Sequence, residues 1–195
     1  MAQKRDNMPS PDWDERYRTG FYNGAKSPHD LLVKFAGLFA GKRVLDIATG
    51  RGADMAYLAS CGIRTVGLEL SWEAIKLARE GTGTQKFPTS FVQGDARELP
   101  FKKASFGGIL IFFFLLREIA QDIAEMLEPG GILIYETFLK KQNAVDRYRN
   151  PAFLLDDGEL LSLFPRFEPI YYEEGTHDRS GKPRITAQLI ARKKI

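Results

Sequence analysis

From residue 43 onward, short and continuously apolar runs alternate with stretches whose apolar positions recur at helical spacing. Runs 43–47, 63–69, 89–93, 107–114 and 131–137 predict strands. Helical patterns at 53–60, 71–80 and 116–127 separate them, with a short irregular or helical piece near 96–99. The clearest period is Leu116, Ile119, Ala120, Ile123, Ala124 and Leu127. Strands without polar alternation belong to a parallel sheet covered on both faces. Upstream, Asp12 caps a short helix carrying Trp13, Arg16 and Tyr17. Ser27-Pro28 opens a helix to about Ala40, serine as N-cap and proline first in the helix. Its apolar side is Leu31, Leu32, Phe35, Leu38 and Phe39. Downstream come a short helix at 156–164 and strands at 166–174 and 184–193, joined by the polar loop Gly175–Pro183. Two strands joined directly pair antiparallel. The expected fold is α/β: a doubly wound, mostly parallel seven-stranded sheet with helices on both faces and a C-terminal antiparallel hairpin. It forms one domain over 1–195, with 1–11 disordered and 12–40 a helical segment over the pocket.

Composition adds little to that picture. Among 195 residues, 28 basic and 25 acidic side chains leave a net charge of +3, too balanced to point to nucleic acid. Cys61 is alone, so no internal disulfide forms and no thiolate metal site is spaced correctly. The first ten residues lack the apolar core of a signal peptide. The most apolar run, Ala104 to Leu116, is too short to span a bilayer and suits a buried strand entering a helix. A cytoplasmic protein with no membrane partner, no nucleic-acid partner and no metal is the expectation.

Chemistry enters at Val44-Leu-Asp-Ile-Ala-Thr-Gly-Arg-Gly-Ala-Asp54. A strand runs into a turn holding Gly50 and Gly52, then a helix; glycine admits a ligand to the backbone, and the helix start offers free N–H groups. A dinucleotide fingerprint needs a third glycine, where Met55 stands. Asp46, ahead of the glycines, repels a diphosphate and attracts a cofactor carrying an ammonium and a sulfonium. The second strand ends at Glu69, at the spacing from Asp46 that suits an acceptor for ribose hydroxyls.

These residues resemble the glycine-rich motif of the class I S-adenosylmethionine-dependent methyltransferases, with Ala48 where that family prefers glycine. The resemblance extends over roughly 30–140. It includes Gly94-Asp95-Ala96, Glu98-Leu99-Pro100-Phe101, Glu128-Pro-Gly-Gly131 and Tyr135-Glu-Thr-Phe138. The chain departs from it at Phe106-Gly107-Gly108-Ile109, where the family commonly has an aspartate after the phenylalanine. The resemblance implies a Rossmann-like methyltransferase fold and S-adenosyl-L-methionine as cofactor. The cofactor-binding residues it implies are Asp46, Ala48, Gly50, Gly52, Glu69, Leu70, Asp95, Ala96 and Phe112. Trp72 is divided between the core and the adenine. The Asn/Asp-Pro-Pro-aromatic tetrad of enzymes acting on base amines is absent after Phe112.

Trp13-Asp-Glu-Arg-Tyr17, Asn150-Pro-Ala-Phe153 and Gly158-Glu-Leu-Leu161 are similar to the tellurite-resistance and thiol methyltransferase branch, whose acceptors are small, soft nucleophiles. Tyr17, Tyr22, Arg117, Tyr148 and Arg149 are the acceptor-pocket candidates. Trp13, Tyr17, Phe21 and Tyr22 are divided between a cation–π cover for a sulfonium and simple packing. His177 is a further candidate near the pocket mouth but reads as a solvent-exposed loop residue rather than a general base, and His29, at a helix start, as structural. The competing function is a non-catalytic protein that binds S-adenosylmethionine or its demethylated product. No catalytic residue is identified, and the oligomeric state is left open.

Overall fold

The computed structural model describes residues 12–21, 27–82, 89–146, 149–179 and 182–194. Its seven strands are β1 (Arg43–Ile47), β2 (Arg64–Glu69), β3 (Thr89–Gln93), β4 (Phe106–Phe112), β5 (Leu127–Phe138), β6 (Phe167–Arg179) and β7 (Lys182–Lys193). They form one sheet in the order β3-β2-β1-β4-β5-β7-β6. The first five run parallel, and β7 is antiparallel to both β5 and β6. The winding reverses between β1 and β4, and ligands bind beyond the strand carboxyl ends at such a point.

Alternate residues of each strand serve opposite faces. Leu45, Ile109 and Leu133 face one cluster, with Ile119 and Ile123 from the α5 side (α5, Ala120–Met126) and Leu160 from α6 (Glu159–Leu163). Val44, Leu110 and Ile132 face the other, with Leu31 and Leu32 of α2 (Asp30–Phe35) and Leu58 of α3 (Ala53–Ser60). The remaining helices are α1 (Trp13–Arg18) and α4 (Trp72–Thr82).

The strand–helix alternation matches the pattern along the chain, and the differences have local causes. The helix expected over 27–40, with Ser27 as its cap, is α2, which starts only at Asp30 with His29 at the N-cap position and no side-chain cap bond, followed by a 3₁₀ turn at Ala36–Phe39, where Gly37 is a poor α-former. The helix expected to stop at Gly81 runs one residue past it. The one expected at 116–127 is a 3₁₀ turn (Arg117–Ile119) leading into α5. Pro129-Gly130 does not start β5 but bulges from it: Phe106 pairs with Leu127 and Gly108 with Ile132. The polar stretch expected as a loop at Gly175–Pro183 largely continues the hairpin, with Gly175 paired to Thr186 and His177 to Arg184. β5 pairs with β7 only from Thr186 onward, so this end is a two-stranded arm. Its ladder bonds hold it, and its side chains need not be apolar. Cys61 is exposed at the end of α3. Residues 1–11 lie outside the described residues.

Candidate functional site

Between β1 and α3 the backbone turns through Ala48, Gly50 and Gly52, with φ of 59°, 55° and 71°. These left-handed values explain two glycines and make Ala48 a strained exception. Thr49 fixes the turn: its N–H donates to the Leu68 carbonyl at 3.1 Å and its hydroxyl to Asp46 Oδ2 at 2.6 Å. The Gly50 N–H donates to Glu69 Oε2, and the Ser71 N–H to Glu69 Oε1, both at 2.9 Å. Glu69 thus ties the glycine turn to the end of β2. A Cβ on Gly50 would lie 2.9 Å from the Tyr17 hydroxyl, so the space above this turn is bounded by α1.

Three carboxylates crowd this turn. Asp46, Asp54 and Glu69 are 3%, 6% and 7% exposed, and no lysine or arginine among the described residues ion-pairs with them. Burial holds the Asp46 carboxyl well above the usual carboxylate range; Asp54 and Glu69 push it further, against the bond from Thr49. Burial also raises Glu69, opposed by the bonds from Ser71, Gly50 and Leu70. Buried carboxylates without a cation of their own favour a cationic ligand and repel a diphosphate. No group of three His, Cys, Asp or Glu among the described residues is placed to hold a metal ion.

Other expected cofactor residues lie along the same edge. Leu70 lines a cleft of about 190 Å³ with Asp12, Trp13, Asp14 and Ser71. Asp95 stands just past β3, accepting the Arg97 N–H at 2.9 Å, with Ala96 half-buried beside it. Trp72 is 41% exposed under the Arg79 guanidinium, which places it outside the core. Phe112 ends β4 and is stacked against the His29 ring at 4.0 Å.

The acceptor candidates separate. Tyr17 is buried at the glycine turn. Trp13 and Phe21 both lie against the Arg16 guanidinium, at 5.1 and 5.4 Å. Arg117 is committed to Glu159 (2.5 and 2.9 Å) and to the carbonyls of Ala152 and Leu154 (2.7 and 2.8 Å), so it anchors the segment before α6. Arg149 pairs with Asp146 at 2.8 Å and lies over Phe138 at 4.4 Å. Tyr22 and Tyr148 lie outside the described residues.

A larger cavity, about 370 Å³, opens beside the ends of β4 and β5 between α2 and the hairpin arm. Phe113 forms one wall in a left-handed conformation (φ 54°), a strain that tends to persist at functional sites. Lys34, Glu136, His177 and Arg184 bring charge and hydrogen-bonding capacity. The His177 Nε2 is buried without a partner, so the reading of that residue as a solvent-exposed loop position is corrected. Tyr171 donates to Glu173, which pushes its pKa up to about 12 and keeps the phenol a donor. The hairpin register that sets His177 opposite Arg184 was the missed signal, because the polar run hid the strand.

His29 joins the two regions. Its Nδ1 lies 2.6 Å from Asp54 Oδ2, and its backbone N–H donates to Asp54 Oδ1 at 2.8 Å. Its ring also meets Phe113 at 5.4 Å. It occupies the N-cap position of α2 without a side-chain cap bond, and its ring touches both Asp54 of α3 and Phe113 of the cavity wall.

Comparison with known proteins agrees with this geometry. Residues 44–131 match the family described as "Methyltransferase domain". A demethylmenaquinone methyltransferase of Renibacterium salmoninarum is 34% identical over 113 residues, 55% of this chain and 46% of the relative. A 23S rRNA (uracil(747)-C(5))-methyltransferase of Pyrococcus abyssi is 26% identical over 140 residues, 69% of this chain and 33% of the relative. The chain thus spans less than half the length of these two curated relatives. TehB of Haemophilus influenzae shares the fold with a TM-score of 0.76 and 20% identity, covering 93% of this chain and 67% of that one. A Methanosarcina mazei protein described as a SAM-dependent methyltransferase has a TM-score of 0.71 at 22% identity, covering 87% and 99%.

Proposed function

We propose that this chain, whose residues 44–131 match a methyltransferase domain, is a class I S-adenosylmethionine-dependent methyltransferase that transfers a methyl group to a small-molecule acceptor seated in the cavity beside Phe113. We infer further that the acceptor is a soft nucleophile, a thiol or a chalcogen oxyanion. The carrying observation is the pairing of two unlike sites. One is anionic and formed by the glycine turn; the other is a separate small cavity with its own charged lining. A protein that only bound the cofactor would have no use for the second.

The residues present fit S-adenosylmethionine. Asp46 suits its cationic end, Glu69 keeps lone pairs for ribose hydroxyls beyond its backbone bonds, and Leu70 with Asp95 and Ala96 flanks a place for the adenine. When bound, the cofactor supplies an electrophilic methyl group on sulfur. The chain's own work is alignment and exclusion of water, and holding reactants in line is worth on the order of 7–11 kcal/mol. Tyr17 covers the turn from above, and Phe113 lines the cavity. Lys34, Arg184 and His177 suit a small polar or charged acceptor better than an extended apolar ring system. The described residues contain no helix long and apolar enough to cross a membrane, in keeping with a cytoplasmic place of action.

The test is release of S-adenosylhomocysteine across a panel of small thiols, tellurite, selenite, phenols, a naphthoquinol and a uracil-containing RNA. Turnover with a thiol or an oxyanion is expected. Turnover confined to the naphthoquinol or the RNA overturns the acceptor class. Tight cofactor binding with no turnover on any of them returns the protein to a non-catalytic binder.

A further inference from the structure

We propose that His29, held by Asp54, is the general base that removes the proton from a neutral acceptor, and that the acceptor class is therefore a thiol rather than an oxyanion. The inference rests on the methyltransferase reading above. Asp54 accepts from both the backbone and Nδ1 of His29, a bidentate hold that fixes ring position and tautomer. With the proton on Nδ1, the lone pair is on Nε2, which makes no hydrogen bond to any described residue. The Phe112 ring lies parallel to the imidazole, 5° between planes, and locks its tilt.

Placement follows from the topology. Glu69 and Asp95, on β2 and just past β3, mark the adenosine half, so the methyl-bearing half lies toward β1 and β4. His29 stands there, against the last residue of β4 and the first turn of α3. On its other side Phe113 and the adjacent Asp30 line the acceptor cavity. The charged groups around it are Asp54 from α3, Asp46 beyond Asp54 on β1, its own neighbour Asp30 and, on the cavity side, Lys34 of α2 and Arg184 over the Phe113 ring.

The step balances simply. His29 Nε2 takes the thiol proton as the sulfur lone pair forms a bond to the methyl carbon. The carbon–sulfonium bond breaks with its electrons going to the departing sulfur, and the imidazolium later gives its proton to water. An oxyanion acceptor has no proton to lose and needs no such base.

The experiment uses the full chain with a small alkyl thiol, whose own pKa is about 8.5. The parent is expected to keep a nearly constant kcat/KM from pH 8.5 down to about 7. His29→Gln should lose about a hundredfold at pH 7 and fall tenfold per pH unit with the thiolate fraction. Imidazole should restore rate to His29→Ala. Asp54→Asn, acting through His29 as a positioning residue, should move the pH profile, with nitrogen NMR of the imidazole showing loss of the fixed Nδ1–H tautomer. S-Adenosylhomocysteine affinity and the circular-dichroism melt check that each variant stays folded and loaded. An active parent whose His29→Gln variant keeps the parent's profile overturns the base. Equal loss with thiol and tellurite overturns it too, since it marks a structural role. A parent inactive on every acceptor instead overturns the methyltransferase reading itself.

Discussion

Asp46 and Glu69 fold into places that penalise their charge. Both have raised pKa values, so between the ordinary carboxylate value of about 4 and those raised values the folded chain binds more protons than the unfolded one. Their contribution to stability is therefore largest below the ordinary value and declines as pH rises through the window. Asp46→Asn keeps an acceptor for the Thr49 hydroxyl and removes the charge. In the ligand-free protein it should raise the melting temperature at pH 7 and flatten the fall between pH 5 and 7. It should weaken S-adenosylmethionine binding by roughly 1.5–3 kcal/mol, the worth of a bond to a charged group, read by calorimetry. A variant no more stable than the parent would show that Asp46 is not strained by its charge. Ala48 is the second residue under strain. Glycine there relieves about 1–2 kcal/mol of left-handed cost against about 0.4–1 kcal/mol of added freedom in the unfolded chain. Ala48→Gly should raise the melting temperature slightly, by at most about 2–4 °C. The glycine turn and its acids were legible because their chemistry is local in sequence. Asp54 and His29 were not, since their pairing spans α2 and α3 and no spacing announces it.

At the scale of elements, α1 is the part whose role reaches past its size. Asp14 accepts the Ser71 hydroxyl at 2.6 Å and the Glu73 N–H at 3.1 Å, so α1 caps the start of α4 from outside. Tyr17 closes over the glycine turn. Deleting residues 1–24 removes a cap worth about 1 kcal/mol but none of the sheet. The truncated chain should fold with a lower melting temperature, keep some affinity for the adenosine half of the cofactor, and lose methyl transfer. Limited proteolysis of the parent should cut this segment more slowly with S-adenosylhomocysteine present. Transfer at the parent's rate after truncation would reduce α1 to a packing arm. The helical period predicted α5, and capping chemistry predicted α1, with the Glu15 N–H donating to Asp12 as expected. The arm of β6 and β7 escaped because edge strands held by their ladder carry no apolar alternation, and with it went Arg184 and the pairing that sets His177 opposite it.

At the scale of the whole molecule, the sheet order concentrates three buried acids at the one crevice where the winding reverses, and leaves the net charge of the chain near zero. Ligand choice is therefore set by the local field. A ligand with two cationic centres relieves the repulsion among Asp46, Asp54 and Glu69; one with a diphosphate adds to it. Stabilisation by a ligand follows RT ln(1 + [L]/Kd), so the contrast is readable as a shift in melting temperature. S-Adenosylmethionine should raise it, S-adenosylhomocysteine, which lacks the sulfonium charge, should raise it less at pH 7, and NAD should leave it unchanged. Because the raised Asp46 and Glu69 carboxyls gain charge as pH rises above the ordinary carboxylate value, the shift given by S-adenosylmethionine should grow with pH across that window, and Asp46→Asn should remove part of that growth. A pH-independent shift would mean that the cofactor is held by its adenosine half alone. A shift with NAD as large as that with S-adenosylmethionine would show that the buried carboxylates do not choose the ligand.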